Sequence, residues 1–104
     1  MITTLVQFQL PQPLSRTQAQ EIFLGTAPNY QGIPGLLRKY YIVAEDGATA
    51  GGVYLWQSRR DAEMVYTEQW RDTVTEKYGA APSVTWFESP VVVDNVSEEI
   101  LSDS

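Results

Sequence analysis

The chain has 104 residues, enough for one domain with a single core, and its 43% hydrophobic and 19% charged residues are typical of a globular protein. With no histidine and no cysteine, it cannot form disulfides, thiol nucleophiles, thiolate zinc sites or a histidine-ligated haem site. The net charge of -6, with basic pairs only at Arg38-Lys39 and Arg59-Arg60, argues against binding to nucleic acid or to an anionic membrane.

The acidity of the chain is concentrated at its end. Four of the thirteen acidic residues follow Val93, so residues 1–93 hold nine acids against seven bases. We therefore expect a domain at residues 1–95 and an acidic tail at residues 96–104, which would be loose or would dock. No apolar run approaches the roughly 20 residues that cross a bilayer. A strand-like pattern begins at Ile2 where a signal segment would lie, so we expect a cytoplasmic protein.

The first half of the chain predicts a strand, a helix and a strand. Residues 2–10 alternate in the manner of a strand, which the prolines of PQP end. From Ser15 the spacing becomes helical, until Gly32-Ile33-Pro34-Gly35 breaks the chain. Residues 36–45 are rich in aromatic and β-branched side chains and predict the second strand. The expected apolar stripe of the helix is Ala19, Ile22, Phe23, Ala27 and Tyr30.

The second half predicts a strand, a helix and a strand. Residues 53–57 form the next strand, and the preceding loop is too short for a crossover helix, so the two middle strands should be antiparallel neighbours. A helix of about five turns should start at Ser58, which with Asp61 resembles a capping box. Residues 83–94 predict the last strand, with Pro90 at an edge or bulge. The order β-α-β-β-α-β predicts an α+β, ferredoxin-like fold whose four-stranded antiparallel sheet carries two helices on one face.

The glycine-rich stretch between the middle strands raises the question of a phosphate site. Gly47 to Gly52 satisfies G-x-x-x-x-G, but Val53 and Tyr54 follow where a phosphate loop needs lysine, serine or threonine and a helix. A turn with positive φ at Gly47 and a close backbone approach at Gly51-Gly52 explain the glycines better. We therefore expect a hairpin and no nucleotide site.

Both faces of the predicted sheet are apolar. On the second predicted strand, Leu36, Tyr40 and Ile42 should face one way and Leu37, Tyr41 and Val43 the other. Two helices cover only one face, so the open face needs another cover. We expect a homodimer with the two sheets face to face. The alternative is a monomer whose tail, which includes Val96, Ile100 and Leu101, folds over the sheet.

Three segments resemble a known family. They are Ile33-Pro34-Gly35-Leu36-Leu37-Arg38-Lys39, Gly51-Gly52-Val53-Tyr54-Leu55-Trp56 and the Ser-x-x-Asp-Ala start of the second helix. Across roughly residues 2–94 the chain resembles the small monooxygenases of the dimeric α/β-barrel superfamily, relatives of the antibiotic-biosynthesis monooxygenases. The resemblance implies the same fold, paired into a barrel by a dimer. It also implies oxidation of anthrone- or hydroquinone-like compounds with O2 and without metal or flavin, so no cofactor is expected. The branch that degrades haem uses a histidine ligand, which this chain lacks.

Such chemistry needs an aromatic pocket, a group that favours the substrate anion and exclusion of water. Arg38 is the candidate to stabilise an enolate or phenolate, and Tyr40 or Tyr54 could relay a proton. The candidates for substrate binding are Phe23, Asn29, Trp56, Tyr66 and Trp86.

Each candidate also has a structural interpretation. The aromatic residues could be core or dimer interface, Arg38 could lie at a solvated strand edge, and Asn29 could end a helix. A non-catalytic dimeric module that binds a small ligand, or serves as a structural partner, is therefore the alternative function. A preformed pocket would favour the enzyme, whereas a core filled by these aromatic side chains would favour the module. An isomerase or decarboxylase would need a base that the sequence does not reveal.

Overall fold

The computed structural model describes residues 1–104. The strands and helices are β1 (Ile2–Gln9), α1 (Arg16–Thr26), a 3-10 turn (Ala27–Tyr30), β2 (Leu36–Val43), β3 (Thr49–Trp56), α2 (Arg59–Val65), α3 (Glu68–Tyr78), β4 (Ser83–Glu88), β5 (Val91–Asp94) and β6 (Glu99–Ser102). Strands β1 to β4 form one antiparallel sheet in the order β2-β3-β1-β4, and β5 pairs only with β6. The predicted α+β fold with a four-stranded antiparallel sheet is confirmed. None of the helices has the length and apolar character to span a membrane.

The register of the sheet separates its two faces. Across the strands, Lys39 pairs with Tyr54, Tyr54 with Thr4, and Thr4 with Trp86, and this row faces the helices. The next row, which includes Arg38, Leu55 and Phe87, faces away from them. The core lies between the sheet and the helices and consists of Val6, Phe8, Ala19, Phe23, Ala50, Tyr54, Trp56, Ala62 and Val74.

The predicted second helix is broken into two. Ser58 caps α2 by accepting a hydrogen bond from the Asp61 amide at 3.2 Å, as expected. The helix ends at Val65, and Thr67 then caps α3 by accepting a hydrogen bond from the Trp70 amide at 3.1 Å. The apolar spacing continues through the break, so periodicity alone could not find it. A threonine in extended conformation at the cap position competes with the helix and restarts it.

The predicted last strand is also shorter than expected. It ends at Glu88, because Pro90 has no amide hydrogen to continue the ladder and the chain turns away from the sheet there. Residues 91–94 pair instead with residues 99–102, so part of the expected loose tail is a hairpin strand. The Asp94 carboxylate accepts hydrogen bonds from the amides of Val96 and Ser97 in the hairpin turn, at 2.9 and 3.1 Å.

A bulge in β2 corrects the predicted division of its side chains. Leu36 pairs with Trp56 and Arg38 with Leu55, so Leu37 is the extra residue. Leu36 therefore packs against the core, while Tyr40 and Ile42 lie in the rows of the open face. Lys39 joins Tyr41 and Val43 on the face that carries the helices. An unbulged strand would have placed Leu36 with Tyr40.

The glycine-rich stretch forms the predicted turn at Gly47, but β3 starts at Thr49 and not at the expected Val53, so Gly51 and Gly52 lie within the strand. Gly47 has a φ of 73°, and its amide donates to the Ala44 carbonyl at 2.8 Å to close the turn. At Gly51 the β1 backbone comes so close that a Cβ atom would collide with the Val6 carbonyl oxygen. The stretch leads into a strand and not into a helix, so it lacks the geometry of a phosphate loop.

This close approach predicts opposite effects of the same substitution at two glycines. Gly51→Ala should lower the free energy of unfolding by about 1–3 kcal/mol, because the added methyl group overpacks the backbone of β1. Gly25→Ala is the matched control, since Gly25 lies in α1 and an added Cβ atom there would meet no neighbouring atom within 4 Å. Alanine at this position should raise the free energy of unfolding by up to about 1 kcal/mol. Urea denaturation of both variants measures the difference, and equal effects would contradict the assigned β1–β3 contact.

Candidate functional site

A cavity of about 250 Å³ lies between the sheet and the helices. The sheet contributes its floor, α3 one wall, and the segment from Thr26 to Ile33 the opposite wall. Most of the lining is apolar or aromatic, and no aspartate or glutamate takes part. The lining residues are Phe8, Thr26, Asn29, Tyr30, Ile33, Lys39, Tyr41, Gly51, Tyr54, Val65, Trp70, Thr73, Val74, Lys77 and Tyr78.

The charged group on the floor of the cavity is the Lys39 amine. Its Nζ atom lies 3.2 Å from the ring centroid of Tyr30, 3.8 Å from that of Tyr41 and 4.6 Å from that of Tyr54. Burial lowers the pKa of Lys39 from 10.5 to about 7. The three ring faces supply part of the stabilisation that water gives an exposed ammonium group. Lys39 can therefore exist as a neutral amine or as a cation near neutral pH.

The tyrosines around this amine are fixed by hydrogen bonds. The Trp70 indole donates to the Tyr30 hydroxyl at 3.1 Å, which joins the two walls. The hydroxyls of Tyr41 and Thr26 lie 2.8 Å apart, and the Tyr41 ring stacks on Phe23 with centroids 4.7 Å apart. Burial raises the pKa of Tyr41 and of Tyr54, so both hydroxyls stay protonated at neutral pH.

A second aromatic group lies behind the cavity wall. The Thr4 hydroxyl, which is fully buried, accepts a hydrogen bond from the Trp56 indole at 3.0 Å and lies 2.6 Å from the Tyr66 hydroxyl. Tyr66 meets Tyr54, Trp56 and Trp86 edge to face. The helix break at Thr67 follows directly after Tyr66, whose hydroxyl reaches the sheet. This network lies beside the cavity on the same face of the sheet and packs against Tyr54 of its floor.

The structure brings two of the sequence-predicted site residues to the cavity, Asn29 and Tyr54. Phe23 supports Tyr41 from outside, Trp56 is fully buried, and Tyr66 packs between Tyr54 and Trp86. The Arg59 guanidinium lies 4.1 Å from the Trp86 ring centroid, away from the cavity.

The other two predicted residues face the opposite way. Arg38 and Tyr40 lie on the open face of the sheet, and Arg38 forms an ion pair with the buried Asp94 of the hairpin. Arg38 is the candidate predicted from the sequence, whereas the cavity is lined by its neighbour Lys39, which that prediction does not include. Two signals could have found Lys39: it shares the alternation of Tyr41 and Val43, and it ends the motif Pro-Gly-Leu-x-x-Lys that carries the family resemblance. Tyr30, Trp70 and Lys77 were also missed as lining residues.

Residues 4–86 match the family described as "Putative mono-oxygenase ydhR". The chain belongs to this family. The matched range begins in β1 and ends in β4, so it contains most of the sheet and every lining residue of the cavity. Membership in the ydhR family indicates a function of the monooxygenase type. No curated protein matches the chain.

Solved structures with the same fold include antibiotic-biosynthesis monooxygenases. A monooxygenase from the gene ActVA-Orf6 of Streptomyces coelicolor, in complex with nanaomycin D, has a TM-score of 0.65 at 16% identity over 85% of this chain and 86% of that chain. SnoaB, a cofactor-independent oxygenase from Streptomyces nogalater, has a TM-score of 0.61 at 13% identity over 85% and 91%. Rv0793 from Mycobacterium tuberculosis has a TM-score of 0.61 at 12% identity over 85% and 93%. At these identities the likeness shows that this ydhR-family chain shares their fold.

The lowered pKa of Lys39 predicts how stability depends on pH. The folded protein releases the Lys39 proton near pH 7, whereas the unfolded chain keeps it up to about 10.5. Between these values the unfolded state binds more protons, so this residue makes the free energy of unfolding rise with pH. Tyr30, Tyr41 and Tyr54 face the amine, and no carboxylate lines the cavity to offset the effect.

Urea denaturation at about pH 7 and about pH 9 measures this component when the protein is compared with Lys39→Met. We expect the free energy of unfolding of the parent protein, relative to that of the Lys39→Met variant, to be higher at about pH 9 than at about pH 7. Lys77→Met is the matched control for the loss of a lysine, because the Lys77 side chain is exposed. An identical pH dependence in the Lys39 variant would contradict a buried amine.

Proposed function

We propose that the protein is a cofactor-independent monooxygenase that oxidises a small phenolic aromatic compound with O2 in this cavity. The observation that carries the proposal is the Lys39 amine, enclosed by three tyrosine rings in an apolar cavity without a carboxylate. Membership in the ydhR family supports the reaction type, and SnoaB shows that a protein of this fold is a cofactor-independent oxygenase.

The cavity favours a flat and small substrate. Its volume of about 250 Å³ lies below the usual range of ligand pockets, about 300–1,000 Å³. The walls are aromatic faces and edges, chiefly Tyr30, Tyr54 and Trp70, which suit a planar ring system. One- and two-ring phenols therefore fit better than the three-ring anthrones expected from the sequence.

Lys39 acts as the base in the first step. With a pKa of about 7, roughly half of the Lys39 side chains are neutral at neutral pH and can accept the proton of a bound phenol. The resulting ammonium group stays beside the phenolate and stabilises it, while the tyrosine faces stabilise the ammonium. The Asn29 amide, which lines the cavity, donates a hydrogen bond to a substrate oxygen in this proposal.

The phenolate then reacts with O2 without another reductant. The anion gives one electron to O2, and the phenoxyl radical and superoxide combine at the ring carbon para to the oxygen. The hydroperoxide formed there breaks its O–O bond and loses water, leaving a second carbonyl group. For 1-naphthol, C10H8O and O2 give 1,4-naphthoquinone, C10H6O2, and H2O, so the substrate supplies all of the electrons.

Oxygen uptake with 1-naphthol, other phenols, hydroquinones and anthrones tests this proposal. We expect protein-dependent uptake with one oxygen atom of 18O2 in the quinone, and a rate that rises with pH through about 7 as Lys39 loses its proton. Lys39→Met should reduce turnover at least about 100-fold, the lower range for loss of a general base.

Arg38→Met separates this mechanism from the one predicted by the sequence. If the open-face arginine stabilised the substrate anion, its loss would abolish turnover. The cavity mechanism predicts that the Arg38 variant retains turnover and that only the Lys39 variant loses it. Phenol binding by a well-folded protein that consumes no O2 would favour the ligand-binding module instead.

We further propose that a second copy of the chain covers the open face of the sheet. Tyr40 and Phe87 on this face are 56% and 51% exposed, and Ile42, Val53 and Leu55 are only half-buried. Such a continuous apolar face on a small domain favours an isologous dimer. The cavity opens on the other side of the sheet, so dimerisation leaves it accessible.

Sedimentation velocity measures the assembly. We expect a dimer that Tyr40→Lys converts to a monomer, because the substitution would bury an unpaired charge in the apolar interface. Glu63→Lys, on the exposed surface of α2, is the matched control and should remain dimeric. A monomeric parent protein would overturn the proposed dimer.

A further inference from the structure

We infer that the cavity selects phenols that also carry a carboxylate group, which Lys77 binds at the cavity mouth. The chain has only two lysines, Lys39 and Lys77, and both line this cavity. The chain has thirteen acidic residues, and none of them lines it. This inference rests on the proposed function for the role of Lys39 and adds a second charged contact for the substrate.

The residue spacing on α3 explains why none of its acidic residues lines the cavity. Trp70, Thr73, Val74, Lys77 and Tyr78 recur at helical spacing and line the cavity together. Glu68, Asp72 and Glu76 belong to the same helix but are absent from the lining. The helix therefore includes Lys77 in the cavity lining and leaves its carboxylates out of it.

Lys77 is free to bind an anion. It is exposed and forms no ion pair, in contrast to Arg38 and Arg59. Lys77 lies in the last turn of α3, where a cation interacts favourably with the helix dipole. The dipole explains one cation at this position. It does not explain why both lysines and no acidic residue line the same cavity. In a protein of net charge -6, this cavity is a local exception that attracts an anion.

The two lysines differ in burial, which orients the ligand. Lys39 lies on the floor among ring faces and meets the phenolic hydroxyl, whereas the exposed Lys77 meets a group that remains partly hydrated. A carboxylate on the far ring of a two-ring phenol matches this arrangement. A phosphate does not, because the lining offers no cluster of backbone amides at a helix N-terminus.

Isothermal titration calorimetry with 5-hydroxy-1-naphthoate and its methyl ester under nitrogen tests the inference. The two probes share the ring system and the phenol and differ in the charge. We expect the acid to bind about tenfold more tightly than the ester at low salt, with the difference shrinking as salt is added.

Variants of α3 assign this preference to a residue. Lys77→Met should remove the preference, and Lys77→Arg should retain most of it. Arg71→Met is the matched control, because Arg71 lies on the same helix, carries the same charge and does not line the cavity. Equal binding of acid and ester by the parent protein, or the same loss in the Arg71 and Lys77 variants, would overturn the inference.

Failure of this inference is distinguishable from failure of the oxygenase proposal. Oxygen uptake with 1-naphthol, which has no carboxylate, measures oxygenation alone. Turnover of 1-naphthol together with equal binding of acid and ester would overturn only the carboxylate preference. A tenfold preference for the acid without oxygen uptake on any phenol would support the anion site and overturn the oxygenase.

Discussion

The position of the Lys39 amine against three tyrosine faces is the constraint on which the site depends. A lysine on the inner face of a sheet loses hydration of its ammonium group. No carboxylate lines this cavity to stabilise the charge in place of water. The tyrosine ring faces offset part of the desolvation cost of the ammonium group. The cost that remains lowers the pKa of Lys39 to about 7. An amine in this state can accept a proton from a phenol, which an exposed lysine would do poorly at neutral pH. The same burial that costs stability thus leaves part of the Lys39 population neutral near pH 7.

The rest of the fold keeps this amine in place. The bulge at Leu37 places Leu36 on the same helix-covered face of β2 as Lys39, and Gly51 allows β3 to approach β1 closely beneath the cavity. Beside the cavity, on the same face of the sheet, the Thr4 hydroxyl joins Trp56 and Tyr66. On the opposite side of β2, the ion pair between Arg38 and Asp94 attaches the hairpin to the same strand. Arg38 and Lys39 are adjacent in the sequence and therefore lie on opposite faces of the sheet.

Much of the fold could be predicted from the sequence because its signals are local. The alternation of β1, the Ser58 cap and the turn at Gly47 depend on neighbouring residues, and each has its expected structure. The break at Thr67 could not be predicted from periodicity, since the apolar spacing runs through it. The sequence analysis does not predict the hairpin of residues 91–102, because the same residues could also continue β4. Pro90 has no amide hydrogen and ends β4, so residues 91–94 pair with residues 99–102 instead.

The site was harder to predict than the fold, because the sequence does not show which face of β2 the helices cover. Both faces of β2 carry aromatic residues, so Arg38 and Lys39 are equivalent candidates by alternation alone. Asn29 and Tyr54 reach the cavity, whereas Trp56 and Tyr66, equally aromatic, fill the space beside it. Which aromatic side chain lines a cavity depends on tertiary packing, and sequence periodicity does not contain that information.

The most direct test of the central claim is NMR of the protein labelled with 13C at the lysine ε carbons, which gives two resonances because the chain has two lysines. At about pH 8 under nitrogen, we expect the Lys39 resonance at the position of a neutral amine. Saturation with 1-naphthol should move the Lys39 resonance toward the ammonium position, because the ammonium and phenolate groups stabilise each other in the apolar cavity. A Lys39 ammonium resonance before addition, or a Lys39 amine that stays neutral with the phenol bound, would contradict the role of Lys39 as the base.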